Sequence, residues 1–199
     1  MRWDDLFDDL EGQLEHEMSA EEVDLAAEEE RLRLGRLALR DRILAVRNAG
    51  PRHSPWSLRM RLCNGRYIDV RPDTFGRDWF SAQLVVGGDR RAQCIVPITA
   101  IAAIVLTRPQ IAHSLEAPGR AAERGLSERL TLGFVLRDLC RRRAAVELEL
   151  VDESVFGTID RVGRDHLDLA VHEPGSARRE SAVSQYRVIP FAQLSLVRV

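Results

Sequence analysis

The chain has 199 residues, 45% of them hydrophobic and 30% charged, enough for a sizeable soluble core in one or two domains. No run of about 18 apolar residues occurs, which excludes a spanning helix and a membrane partner of that kind. The formal charge of −2 hides an asymmetry: residues 1–30 hold 13 acidic residues and one basic one, leaving 18 acidic and 28 basic residues, all arginine, in the rest.

Trp3, Leu6, Phe7, Leu10 and Leu14 recur at helical spacing with Asp and Glu between them, so the N-terminus predicts an acidic amphipathic helix. Its opening, MRWDDLFDDLEGQLE, lacks the apolar segment of a signal peptide. Ser19-Ala-Glu-Glu22 carries a capping-box pattern and predicts a long helix to about Arg47, ended by Asn48-Ala-Gly-Pro51. From Trp56 the period changes to two. Ser57–Leu62 alternates, Asn64-Gly65 signals a hairpin, and further strands are expected at Tyr67–Val70, Trp79–Val86, Cys94–Pro97 and within Ile98–Leu106. Residues 107–126, rich in Pro, Ala, Gly and charge, read as a linker. A helix from Ser127 to Arg143 follows, with Arg141-Arg-Arg143 at the negative end of its dipole. Five more strands are expected at Val146–Leu150, Phe156–Ile159, Leu167–Val171, Tyr186–Ile189 and Leu194–Val197.

The two halves repeat each other. FGRDWFSAQL (Phe75–Leu84) and VGRDHLDLAV (Val162–Val171) lie 87 residues apart. Downstream, Ile95-Val-Pro-Ile98 matches Val188-Ile-Pro-Phe191, and the longer second spacing falls in the polar loop Glu173–Ser181. This gives four segments: an acidic arm and long helix over 1–50, a first β unit over 51–106, the linker 107–126, and a helix with a second β unit over 127–199.

The stretch from Val146-Glu-Leu-Glu-Leu-Val151 through Gly157-Thr-Ile159 to Asp165-His-Leu-Asp-Leu169 resembles the first motif of the bacterial Sm-like (Hfq-like, LSm) small β-barrel family. Ile189-Pro-Phe-Ala-Gln-Leu194 stands where that family's second motif lies, and residues 55–106 resemble the same pattern more weakly. The resemblance implies an α+β, mostly β fold of two tandem five-stranded Sm-like or SH3-like barrels, each preceded by a helix, behind the acidic arm. A glycine is needed where a bent strand approaches its neighbour, and Gly157 is the candidate. The family's uridine pocket uses an aromatic, a lysine and a histidine in the second motif. Ile189, Pro190 and Phe191 replace them here, so that pocket is not carried over.

The +10 body and the resemblance lead to a non-enzymatic nucleic-acid-binding protein, RNA being the expected ligand, that contacts phosphate through Arg137, Arg141, Arg142, Arg143, Arg178 and Arg179. The alternative is a protein-interaction or assembly module. There, barrel edges pair subunits into a homo-oligomer, and Trp3, Leu6, Phe7 and Leu10 dock a protein partner or shield the basic body. The five histidines lack metal-ligand spacing, His166 and His172 are expected at the surface, and no nucleophile elbow, Walker loop or dinucleotide fingerprint occurs, so no metal, cofactor or catalytic residue is assigned. The separated cysteines Cys63, Cys94 and Cys140 argue against a disulfide framework and for a cytoplasmic location.

Overall fold

The computed structural model describes residues 22–50, 56–85, 92–116, 129–176 and 178–199. Contacts divide the chain into two units, residues 1–38 and 39–199. In the first, residues 22–35 form helix α1, almost wholly exposed and laced by Glu28–Arg31 and Glu30–Arg33 ion pairs at i,i+3. The single helix predicted to run to Arg47 is interrupted. It ends at Gly35, a poor helix former, with the Arg36 and Leu37 N–H groups bonding back three residues. Helix α2 (Leu39–Ala49) then starts separately and buries Ile43 and Val46 in the core of the second unit.

The second unit is α+β. Its strands are β1 (Leu58–Leu62), β2 (Tyr67–Phe75), β3 (Trp79–Leu84), β4 (Ala92–Pro97), β5 (Ile101–Val105), β6 (Ala145–Glu149), β7 (Ser154–Val162), β8 (His166–Val171), β9 (Gln185–Pro190) and β10 (Leu196–Arg198). They form one antiparallel sheet in the order β5-β1-β2-β3-β4-β10-β6-β7-β8-β9. The sheet does not close on itself, and the two expected sets of five strands are its two halves. Each half is a four-stranded meander whose fifth strand returns to pair with the first. Alternation built these strands: β1 reads buried-exposed throughout, with Leu58, Met60 and Leu62 inward and Arg59 and Arg61 outward.

The halves match in detail. Trp79 pairs with Pro97 as His166 pairs with Pro190. The Gly76 N–H donates to Trp79 O, and the Gly163 N–H to His166 O, each at 2.8 Å. The β2–β3 register slips after Pro72, and the β7–β8 register slips at the matching Ile159. Pro97 and Pro190 each end a strand and lead into a 3-10 turn, Ile98–Ala100 or Phe191–Gln193, so neither interrupts a ladder. At Gly157 the backbones approach so closely that a Cβ would lie 2.3 Å from the Ala170 carbonyl oxygen.

The stretch read as a linker contains helix α3 (Arg108–Ser114). Thr107 and Gln110 form a capping box at its start, with a proline in the first turn. It packs on α2, where the Arg42 guanidinium donates to Ser114 Oγ at 2.9 Å. Helix α4 (Leu132–Arg141) is shorter than predicted and begins after Thr131.

Two apolar clusters form the core, one per half, and they interlock. Trp79 and Ile95 of the first half belong to the second cluster, and Leu196 of β10 belongs to the first. The β4–β10 seam is therefore a packed interior rather than a linker between independent bodies.

Candidate functional site

Three of the six arginines predicted to contact phosphate, Arg141, Arg142 and Arg178, have carboxylate partners among the described residues. Arg141 Nη2 and Arg142 Nε each sit 2.6 Å from the Asp138 carboxylate, one turn back on α4. The hydrogen bond from Arg141 is the main reason the Asp138 carboxyl stays below the usual carboxylate range. Arg178 grips Asp160 on β7 with two parallel bonds, Nε to Oδ1 at 2.9 Å and Nη2 to Oδ2 at 2.5 Å, and only 22% of its side chain is exposed. Arg137 donates to Gly163 O at 3.0 Å, pinning α4 to the second Gly-Arg-Asp turn. Arg40 does the same for the first half, donating from α2 to Gly76 O at 2.9 Å. Arg143 and Arg179 remain exposed without an ion pair among the described residues. Trp3, Leu6, Phe7 and Leu10 lie outside the described residues.

One sequence expectation is corrected. His172 is a buried residue at the end of β8, only 4% exposed. Its ring lies 2.9 Å from Thr158 Oγ1 through Nε2 and 3.1 Å from Glu173 O through Nδ1, and meets the Phe156 ring edge-on. The loop after β8 folds back over the ring, which local sequence does not reveal. His172 lines a cleft of about 600 Å³ with Glu153, Ser154, Phe156, Ser176 and Arg187. Both ring nitrogens are occupied, and no group of three metal-ligating side chains occurs among the described residues. His166 is 45% exposed and bonds Asp165. Cys94 is buried, which pushes its thiol up to about 12.

The seam between the halves carries what sequence reading missed. β4 and β10 pair through Ile95–Val197 and Cys94–Arg198. On β6, Glu149 is 2% exposed, and one of its oxygens accepts from both Arg66 and Arg198. Arg66 comes from the β1–β2 hairpin of the other half, so this carboxylate ties the halves together. Asp78 of the first Gly-Arg-Asp turn accepts from the Leu132 N–H at 2.8 Å, satisfying a free donor at the start of α4. Trp79 Nε1 adds a bond to Leu130 O at 3.0 Å.

Among the described residues, the same elements have no partner at the two ends of the sheet. There β5 bonds only to β1, and β9 only to β8. Val188 of β9 corresponds to Ile95 of β4. Ile95 is 7% exposed inside the seam, whereas Val188 is 70% exposed. Val105 of β5 is 44% exposed, and its counterpart Arg198 is held in the seam.

No family model, curated protein or solved structure matches this chain. No helix among the described residues is long and apolar enough to cross a membrane. The functional reading rests on the geometry.

Proposed function

We propose that the protein is a non-enzymatic assembly module of two tandem Sm-like repeats, which joins further copies of itself head to tail in the reducing cytoplasm. The observation that carries this reading is the β4–β10 seam. Within one chain, the last meander strand of one repeat already accepts the returning strand of the other. Among the described residues, the two ends of the sheet leave the outer edges of the same two strand types, β9 and β5, unpaired, and an open edge is a template for pairing. Such a joint uses two different surfaces, so it propagates from copy to copy and closes into a ring or extends as a filament. The register of the seam gives the register of the joint: Val188 opposite Ile104 and Arg187 opposite Val105 of the next copy.

Light scattering coupled to size exclusion, across a range of protein concentrations, tests the reading. The wild type should exceed the monomer mass. Val188→Asp, at a position exposed in the isolated chain, should keep the far-UV circular dichroism spectrum and lose the larger species. A wild type that stays monomeric at every concentration rejects it.

A second reading, binding of nucleic acid and RNA above all, is favoured by the outward face of β1 and β2. Arg59 and Arg61 have no carboxylate partner among the described residues, and the Arg59 guanidinium lies 5.3 Å from the centroid of the Tyr67 ring. Arg143 and Arg179 add uncompensated charge. A mobility shift that weakens steeply with salt supports it, and no shift with any RNA or DNA at low salt rejects it.

A further inference from the structure

We infer that Glu153 in the β6–β7 hairpin of one copy receives Arg61 on β1 of the next, a charge-reversed version of the Arg66–Glu149 pair inside the chain. The inference rests on the head-to-tail reading above and names the residues that select its partner, a second copy of this chain.

The correspondence is set by hydrogen bonds and register. In the first hairpin the Leu62 N–H donates to Arg66 O at 2.8 Å, and in the second the Leu150 N–H donates to Glu153 O at 2.7 Å. Arg66 and Glu153 therefore hold the same hairpin position. On the receiving strands, Arg61 of β1 lies opposite Ala103 of β5, and Glu149 of β6 lies opposite Leu196 of β10. Ala103 and Leu196 match through the neighbouring pairs Arg59–Val105 and Glu147–Arg198. Arg61 and Glu149 therefore hold the same strand position.

At the seam the hairpin supplies the cation and the strand supplies the anion. At the free ends the hairpin supplies the anion and the strand supplies the cation. Both signs have changed, so attraction is preserved.

The states of the two free residues agree with this role. Arg61 is exposed and has no ion-pair partner among the described residues. Glu153 is 45% exposed and accepts from Arg187 Nη1 at 2.5 Å, which leaves an approach from solvent. In the joint, Glu153 would lie between two guanidiniums, as Glu149 already lies between Arg66 and Arg198. The pair also discriminates. An end carrying Glu153 repels a strand carrying a carboxylate at the receiving position, so β6 of a broken or misfolded copy is rejected where β1 is accepted.

Sedimentation velocity on the full chain, with R61E, E153R and the R61E/E153R double variant, tests the inference. Each single variant places like charges at every joint and should weaken self-association by roughly tenfold or more. The double variant restores opposite charges and should return to within about threefold of the wild type. R61E alters an exposed side chain that has no ion-pair partner among the described residues, so its circular dichroism spectrum should be unchanged, which keeps the test valid if E153R disturbs Arg187. A wild type that assembles while R61E assembles equally well overturns the pair and leaves the head-to-tail reading standing. So does a double variant as weak as the singles. A monomeric wild type overturns both.

Discussion

Replacing Gly157 by alanine puts the close approach of β7 to β8 under direct test. The added Cβ would lie 2.3 Å from the Ala170 carbonyl oxygen and 3.1 Å from Leu169 Cγ. Carbon and carbonyl oxygen rest comfortably at roughly 3.3 Å, so β7 and β8 must part by about 1 Å. They would part beside the Thr158–Ala170 pair, inside the ladder. Overpacking of a close-packed interior costs about 1–3 kcal/mol, and a weakened ladder bond about 1 kcal/mol more. The smaller entropy of an unfolded alanine chain returns about 0.4–1 kcal/mol. The net expectation is a loss of about 2–3 kcal/mol.

The first half supplies the control. Val70 pairs with Leu84 as Gly157 pairs with Val171, so the two residues occupy one position in the repeat. Val70 is fully buried. Val70→Gly should also cost about 2–3 kcal/mol, for the opposite reason: lost apolar burial and a freer unfolded chain. Urea unfolding followed by circular dichroism, at a concentration where one species is present, reads both. Stability of Gly157→Ala within about 0.5 kcal/mol of wild type would refute the steric argument.

Four other outcomes follow from named residues. Glu149→Ala leaves Arg66 and Arg198 without their shared carboxylate; it should cost about 2–4 kcal/mol by urea unfolding, below the top of the range for buried pairs because Arg66 is 45% exposed. Arg143 adopts a positive φ of 50° just past α4, so Arg143→Gly should stabilise the protein by up to about 1 kcal/mol, measured as a raised urea midpoint. Cys63 is exposed and should react with a thiol reagent at pH 8 well before the other two cysteines, while Cys94 should react only on unfolding. The folded Cys94 thiol titrates near 12 against an ordinary 9.0, so its contribution is complete below pH 9 and is lost as pH rises from there. Cys94→Ala should flatten the alkaline arm of the stability profile.

The elements themselves were legible because their signals are local. Alternation marked β1, Asn64-Gly65 marked the first hairpin, and the duplicated Gly-Arg-Asp turn marked the repeat; Gly65 does take a positive φ of 82°. The pairing of the basic cluster was only partly legible, for a reason that is also physical. Asp138 lies one helical turn from Arg141 and Arg142, and Asp160 is reached by Arg178 only after β7 and the loop between β8 and β9 are placed. Counting charge cannot say which arginines are already compensated. His172 was misplaced because burial there depends on a loop folding back, and Thr107-Arg-Pro-Gln110 opens a helix inside a stretch whose composition reads as linker.

The sequence by itself determined that this protein is a duplication of a helix and five strands, because period, turn residues and repeat spacing are properties of neighbours along the chain. Only the tertiary structure decided how the copies meet. Arg66 and Glu149 are 83 residues apart, and β4 and β10 are brought together by the whole intervening half. Ile95 is buried and its counterpart Val188 exposed because, among the described residues, one strand has a further neighbour and the other does not. That difference in surroundings, absent from the alternation both residues obey, is what turns two strand edges into a candidate joint.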